Sequence, residues 1–292
     1  YRLIVGLAII GLSLNSCEAD LDTESNDKLT ELDLLNDPAN AIQLANGVYN
    51  KNLAYGMYGF SWIGITSITS DDADKGSSSG DSGADKNLLD ALTFGASSPS
   101  FTDVWQARYQ GIGRANKALF YLEQLTTLDQ NLKARLIGEI KFLRALWYFD
   151  LVRCFGGVPI VTTEVDINDV ELVNAIVYTR KTVPETYAQI EAELTDAIAN
   201  LPLKSQYAKD DMGRATKGAA QALLAKAYLY QKKWQQSYDL AGDVMASGQY
   251  SLMPDYAEVW RQVGENGTES IFEIQATLQN GLQDYTNVQG PR

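Results

Sequence analysis

A thiol at Cys17, set behind Leu14-Asn15-Ser16 and an apolar run that starts at Leu3, has the setting of an acyl acceptor. The run is about a dozen residues, too short to cross a hydrocarbon core of ~30 Å as a helix and suited to the h-region of an export signal. Small Ser16 suits a peptidase pocket, so residues 1–17 read as a lipoprotein signal peptide ending in a lipobox, with Cys17 the lipidation site. The alternative is an ordinary signal peptide with a chance cysteine at its end. The chain opens at Tyr1 with Arg2 as the charge ahead of the run, which reads as a clipped front.

A second constellation is aromatic and acidic. Tyr55, Tyr58, Phe60 and Trp62 precede Ser70-Asp71-Asp72-Ala73-Asp74. Rings clustered in a loop can stack on the faces of sugars, and a carboxylate can accept hydroxyl hydrogen bonds. Tyr58 and Trp62 as stacking rings and Asp72 as acceptor are therefore the candidate ligand-binding residues. The same rings could equally form a satellite hydrophobic cluster that packs the loop down. Counted from Asp71, Gly76 falls at the sixth place of an EF-hand loop, but Ala73, Lys75 and Ser82 stand where oxygen ligands are needed. An EF-hand is rejected, and the loop reads as solvated acid with an irregular calcium site left open.

Other chemistry is excluded more firmly. No histidine occurs, which removes Ser-His-Asp and Cys-His catalysis and the common His-containing zinc sites. Acid pairs such as Asp71 and Asp72 say little in a chain with 37 acids. Gly111-Ile112-Gly113 and Gly156-Gly157 lack the strand, turn, helix and basic residue of a phosphate loop. No catalytic residue or cofactor is expected, and no metal-ligating residue is assigned. The formal net charge of −13 argues against nucleic-acid partners. With Cys17 lipidated, Cys154 stands alone in an apolar helical stretch and reads as a buried small hydrophobe.

The elements that position these residues are mostly helical. From Glu18 to Asp37 eight acids face one lysine, Lys28, and this reads as an acidic tether. Asp37 and Pro38 can open a helix whose stripe is Ile42, Ala45 and Tyr49. Residues 51–101 form a long irregular insertion, with a strand-like run at Ile63–Ile68 and low complexity from Lys75 to Gly83. Helical order then runs to Ser247. Thr102 can cap a helix striped by Trp105, Tyr109, Ile112, Asn116, Leu119 and Leu122. A second helix, about Asn131 to Phe155, stops at Gly156-Gly157 before Pro159. Thr182-Val183-Pro184-Glu185 is a capping box that opens a third. The last pair, lined by Ala219, Leu223, Ala227 and Tyr230 and by Trp234, Tyr238, Ala241 and Met245, fits tetratricopeptide spacing around a tight turn at Lys232-Lys233. Glu269 to Gln275 alternates like a strand. The expected fold is all-α in the main, with tetratricopeptide-like hairpins, the long insertion and a few short strands.

Assembled in order, the lipobox, the Ile-Thr-Ser-Asp-Asp segment, Trp105-x-x-x-Tyr109-x-x-Ile112-x-x-x-Asn116, Lys141-Phe142-Leu143-Arg144-Ala145, Phe155-Gly156-Gly157-Val158-Pro159, Gly213-Arg214-Ala215-Thr216-Lys217 and Glu269-Ser270-Ile271-Phe272-Glu273 resemble the SusD/RagB family of outer-membrane nutrient-binding lipoproteins. The resemblance implies a cell-surface protein held in the outer membrane through Cys17. It also implies no catalysis, an oligosaccharide or polysaccharide ligand, and a SusC-like TonB-dependent transporter as partner. The acids Glu18 to Asp22 look like a surface-export signal of Bacteroidetes lipoproteins. Arg144, Trp147 and Arg153 are expected to hold the helical core rather than ligand, and 38–292 to be a nutrient-binding domain incomplete at its C-terminus. The alternative function is a tetratricopeptide-type scaffold or peptide-binding lipoprotein.

Overall fold

In the computed structural model the described residues are 40–76 and 83–275. The signal peptide with Cys17, the acidic tether, six residues of the low-complexity segment and the last seventeen residues lie outside them.

The chain is built from α1 (Asn40–Tyr49), α2 (Tyr55–Tyr58), α3 (Phe60–Ile63), α4 (Ala84–Asp90), α5 (Pro99–Gln124), α6 (Gln130–Phe155), α7 (Val170–Ile176), α8 (Val183–Asn200), α9 (Lys217–Tyr230) and α10 (Trp234–Ala246). Two long helices, α5 and α6, make a hairpin around the turn at 125–129. Helix α1 packs across both, α8 packs on α6, α9 on α8, and α10 closes the array as the second tetratricopeptide-like hairpin. The core runs along α6, where Leu136, Ile140, Leu143, Trp147 and Leu151 are fully buried, as the apolar spacing predicts.

Local chemistry explains the boundaries. Asp129 accepts from Leu132 N at 2.9 Å and starts α6, and Gly156, at φ 73, ends it where a residue with a Cβ would be strained. The capping box is present at α8: Thr182 N donates to Glu185 Oε2 at 2.8 Å, and Glu185 N donates to Thr182 Oγ1 at 3.3 Å. Helix α5 starts earlier than Thr102, because Pro99 presets the first turn.

Three sequence expectations are corrected. The run at Ile63–Ile68 is helical, ending α3 and continuing as a π-helical turn over Gly64–Ile68. Thr66 Oγ1 donates to Trp62 O at 2.8 Å and Thr69 Oγ1 to Ile65 O at 3.1 Å, bonding back along a helix instead of facing a partner strand. Much of the irregular insertion is thus short helices, α2 to α4. No strand forms at 269–275 either, and no strand exists among the described residues. Lys204 Nζ donates to Gly267 O and Ser270 O, and Phe272 packs edge-on against Phe142 at 4.9 Å, so that segment lies against the helices without a ladder partner.

The third correction concerns α10. It packs through Ser237, Leu240 and Val244, while Trp234, Tyr238 and Met245, read from sequence as the lining stripe, are exposed, Met245 by 81%.

Candidate functional site

The aromatic segment is locked down by charge. Arg108, wholly buried on α5, donates through Nη1 to Gly56 O at 2.9 Å and through Nη2 to Asp150 Oδ2 at 3.1 Å. Its guanidinium lies 4.2 Å from the Trp62 ring and 5.1 Å from the Tyr58 ring, within cation–π range. Tyr58 and Trp62 meet edge to face at 5.8 Å. Arg153 adds a second donor to Asp150, at 2.5 Å, and covers Phe149 at 4.4 Å. Ser61 Oγ donates to Asp103 Oδ2 at 2.7 Å and pins α3 to α5.

The structure therefore brings Tyr58 and Trp62 together. The Tyr58 hydroxyl is enclosed beside Asp150, and burial followed by that carboxylate pushes its pKa well above the ordinary phenol value. Trp62 is half-buried, with the guanidinium groups of Arg108 and Arg153 at 4.2 Å and 5.8 Å from its ring centroid. Asp72 lies apart from the pair, on an exposed turn where its N–H donates to Ser70 Oγ at 3.2 Å. The residues missed from sequence are Arg108 and Asp150. Their only signal was a charge inside each apolar helical row, at positions that face the core.

Below the site, α4 is fastened to the start of α5. The Asp85 carboxylate accepts from Ser98 Oγ and Ser100 Oγ, and Lys86 Nζ lies 3.0 Å from Asp85 Oδ2 and 5.0 Å from the Phe60 ring. Burial alone would raise the Asp85 pKa, but the two hydroxyls and Lys86 outweigh it and hold it below the usual carboxylate range.

The signature residues act on structure. Arg144 Nε donates to Glu193 Oε1 at 2.8 Å, and Arg144 Nη1 to Thr162 O at 2.9 Å. Asn116, the polar residue in an apolar stripe, donates to Val161 O and Thr163 O, each at 3.0 Å. Tyr109 donates to Pro159 O at 2.7 Å. Together they clamp the extended segment after Phe155-Gly156-Gly157-Val158-Pro159 onto the hairpin. Trp147 is fully buried and donates through Nε1 to Asn52 Oδ1 at 2.9 Å.

A separate cleft of about 270 Å³ lies between α1 and the Gly213-Arg214 turn, with Asn46, Asn50, Asn52, Tyr49 and Phe272 in its wall. Arg214 in its wall reaches through Nη1 to the buried Glu139 carboxylate at 3.0 Å. Burial raises the Glu139 pKa, against the pull of Arg214 and Arg135. Among the described residues no group of three or more His, Cys, Asp or Glu could hold a metal ion, and no helix is long and apolar enough to cross a membrane.

This clamped helical array has known counterparts. Residues 22–229 match the family model SusD-like, described as starch-binding associating with outer membrane. The chain belongs to the SusD-like family. A SusD-like protein, P25, from Formosa agariphila is 25% identical over 175 residues, which is 60% of this chain and 32% of that protein. A SusD-like protein from Bacteroides ovatus is 26% identical over 189 residues. Among solved structures, a laminarin-binding SusD-like protein superposes with a TM-score of 0.68 at 31% identity, over 80% of this chain and 50% of that one. A SusD homologue from Bacteroides thetaiotaomicron reaches 0.73 at 27% identity, over 87% and 50%. This SusD-like chain thus spans about a third of the length of the curated relatives and about half of the solved ones.

Proposed function

We propose that this SusD-like chain is part of a cell-surface lipoprotein that binds an oligosaccharide or polysaccharide and passes it to a SusC-like TonB-dependent transporter, without catalysing a reaction on it. The observation that carries the reading is Trp62. It is a half-buried ring held against a buried guanidinium, in a chain whose family is described as starch-binding and one of whose relatives is named for binding laminarin. A ring fixed on one side costs little ordering entropy when a sugar stacks on the other. Tyr58 braces Trp62 at right angles, and Asp72 on the following turn is the proposed hydroxyl acceptor. Lipid on Cys17 anchors the body in the outer membrane.

The test is retardation of the purified full-length protein in gels cast with a series of polysaccharides, paired with recovery of a barrel-sized partner from solubilised outer membranes. Retardation by one class of glycan together with co-purification of the transporter supports the reading. Migration unaffected by every glycan overturns the binding half, and absence of the barrel overturns the delivery half. Palmitate labelling that persists in Cys17→Ala overturns the anchor.

A further inference from the structure

A buried amide donor lines the cleft between α1 and the Gly213-Arg214 turn. Asn52 is 1% exposed, sits on the tight helical turn Asn50–Leu53 that continues α1, and is part of the cleft wall. Its Oδ1 accepts from Trp147 Nε1 at 2.9 Å. An indole N–H can only donate, so this bond fixes which end of the amide meets Trp147 and leaves both Nδ2 hydrogens for other partners. Among the described residues Nδ2 donates to none. A buried donor without an acceptor is costly, and in the wall of a cleft a ligand can supply the acceptor.

We infer that the cleft binds one neutral sugar ring. It is a separate site from the Trp62 platform, since Tyr58, Trp62 and Asp72 are not in its wall. Charge decides against an ion. Arg214 is the one cation among the described lining residues, and its guanidinium is engaged on three sides: Nε donates to Asp211 Oδ1 at 2.6 Å, Nη1 to Glu139 Oε2 at 3.0 Å and Nη2 to Asn46 Oδ1 at 2.8 Å. Asp210 and Glu273 are also in the wall, so an anion would meet two carboxylates and a guanidinium already paired. A metal ion or an ammonium group, in turn, offers Asn52 Nδ2 nothing to donate to. Size and surface favour a single ring. The volume falls just below the usual range of ligand pockets, about 300–1,000 Å³, and Leu53, Met212, Phe272 and Ile274 give apolar surface beside the amides of Asn50 and Asn52. A pyranose has a C–H face for such walls and hydroxyls that both accept from an amide and donate to a carboxylate. That chemistry is shared by a free monosaccharide and by the end unit of a longer chain. The inference stands without the Trp62 reading, because it uses none of those residues.

The test is a magnetic-resonance titration of the isotope-labelled full chain, followed at the Asn52 side-chain amide. D-glucose, D-galactose and N-acetyl-D-glucosamine are the neutral probes, maltose and cellobiose the two-ring probes, and D-glucuronate the charged control. A ligand of about a dozen heavy atoms binds with a Kd on the order of millimolar at ordinary efficiency, so saturable shifts in that range are expected with a neutral sugar. Met212→Trp fills the cleft from an exposed position and leaves Asn52 in place, and it should weaken binding about tenfold or more, as if one good contact were lost. Asn52→Asp keeps an acceptor for Trp147 but removes the donor, and saturation transfer to the sugar should fall to a similar degree. If Asn52→Asp does not fold, Met212→Trp decides. A stronger response to a disaccharide than to its monomer assigns the cleft to a chain end, and the reverse assigns it to a free sugar. No saturable shift at Asn52 with any neutral sugar overturns the inference. So does an equal response to D-glucuronate, or an undiminished response in Met212→Trp. Each of these results leaves the Trp62 platform to its own test.

Discussion

Arg108 Nη2 and Asp150 Oδ2 lie 3.1 Å apart with both side chains removed from solvent, and the same guanidinium carries Trp62 at 4.2 Å. One buried charge pair thereby joins α5 to α6 and fixes the aromatic segment on top of them. The geometry of the proposed sugar platform is inherited from the core of the hairpin.

Replacing Arg108 by Leu should be costly. Asp150 keeps Arg153 but loses its fully enclosed partner, and breaking one side of a buried pair costs about 3–5 kcal/mol. Urea denaturation measures it, and Arg108→Leu/Asp150→Leu should lose less than the two single variants summed. Additive losses would mean that the pair does not act as a unit.

Gly111 is a point of close approach between α5, Met57 and the Trp147 ring of α6. A Cβ there would lie 2.7 Å from Met57 Cε and 2.8 Å from the Trp147 ring, so Gly111→Ala should destabilise by about 1–3 kcal/mol through overpacking. Gly113→Ala, with open space around it, should cost nothing or stabilise slightly. Equal melting temperatures for the two variants would contradict the packing described.

Much of this was legible in the sequence, and the reasons are physical. The buried face of α6, the Thr182 capping box and the glycine stop at Gly156 follow from periodicity and local hydrogen bonding, which a sequence carries directly. The run at Ile63–Ile68 was misread because a short β-branched stretch has no period long enough to separate strand from helix. The α10 stripe failed for another reason. Aromatic spacing marks a face but not which way it points, and small Ser237 with apolar Leu240 and Val244 forms a competing row. Arg108 and Asp150 could be seen as charges but not as a pair, since 42 residues separate them.

Asn116→Ala should free the clamped segment without unfolding the hairpin. It removes donors to Val161 O, which keeps the Tyr148 hydroxyl at 3.0 Å, and to Thr163 O, and it removes the Oδ1 acceptor of Arg144 Nη1, at a cost of about 1–3 kcal/mol for the groups left unsatisfied. Hydrogen exchange at residues 160–163 should accelerate more than exchange in the middle of α6. Uniform acceleration would make Asn116 a global core residue instead.

The Asp85 cluster sets a pH response. Its folded pKa is depressed below the ordinary value of 3.8, so the folded state binds fewer protons there than the unfolded chain. The contribution is complete above pH 3.8 and is lost as pH falls through the depressed value. Asp85→Asn should therefore flatten the acid limb of a stability profile and lower the neutral plateau. A profile of unchanged shape on the acid side would contradict this assignment.

The most direct test of the account is calorimetric titration of the full-length protein with whichever glycan retards it, in parent, Trp62→Phe and Trp62→Ala forms. A central aromatic contact typically costs about 2 kcal/mol or more on truncation, so Trp62→Ala should weaken binding by roughly thirtyfold. Trp62→Phe should retain most of the affinity. Parental affinity in Trp62→Ala, with the helical signal intact, would contradict the assignment of Trp62 as the ligand platform.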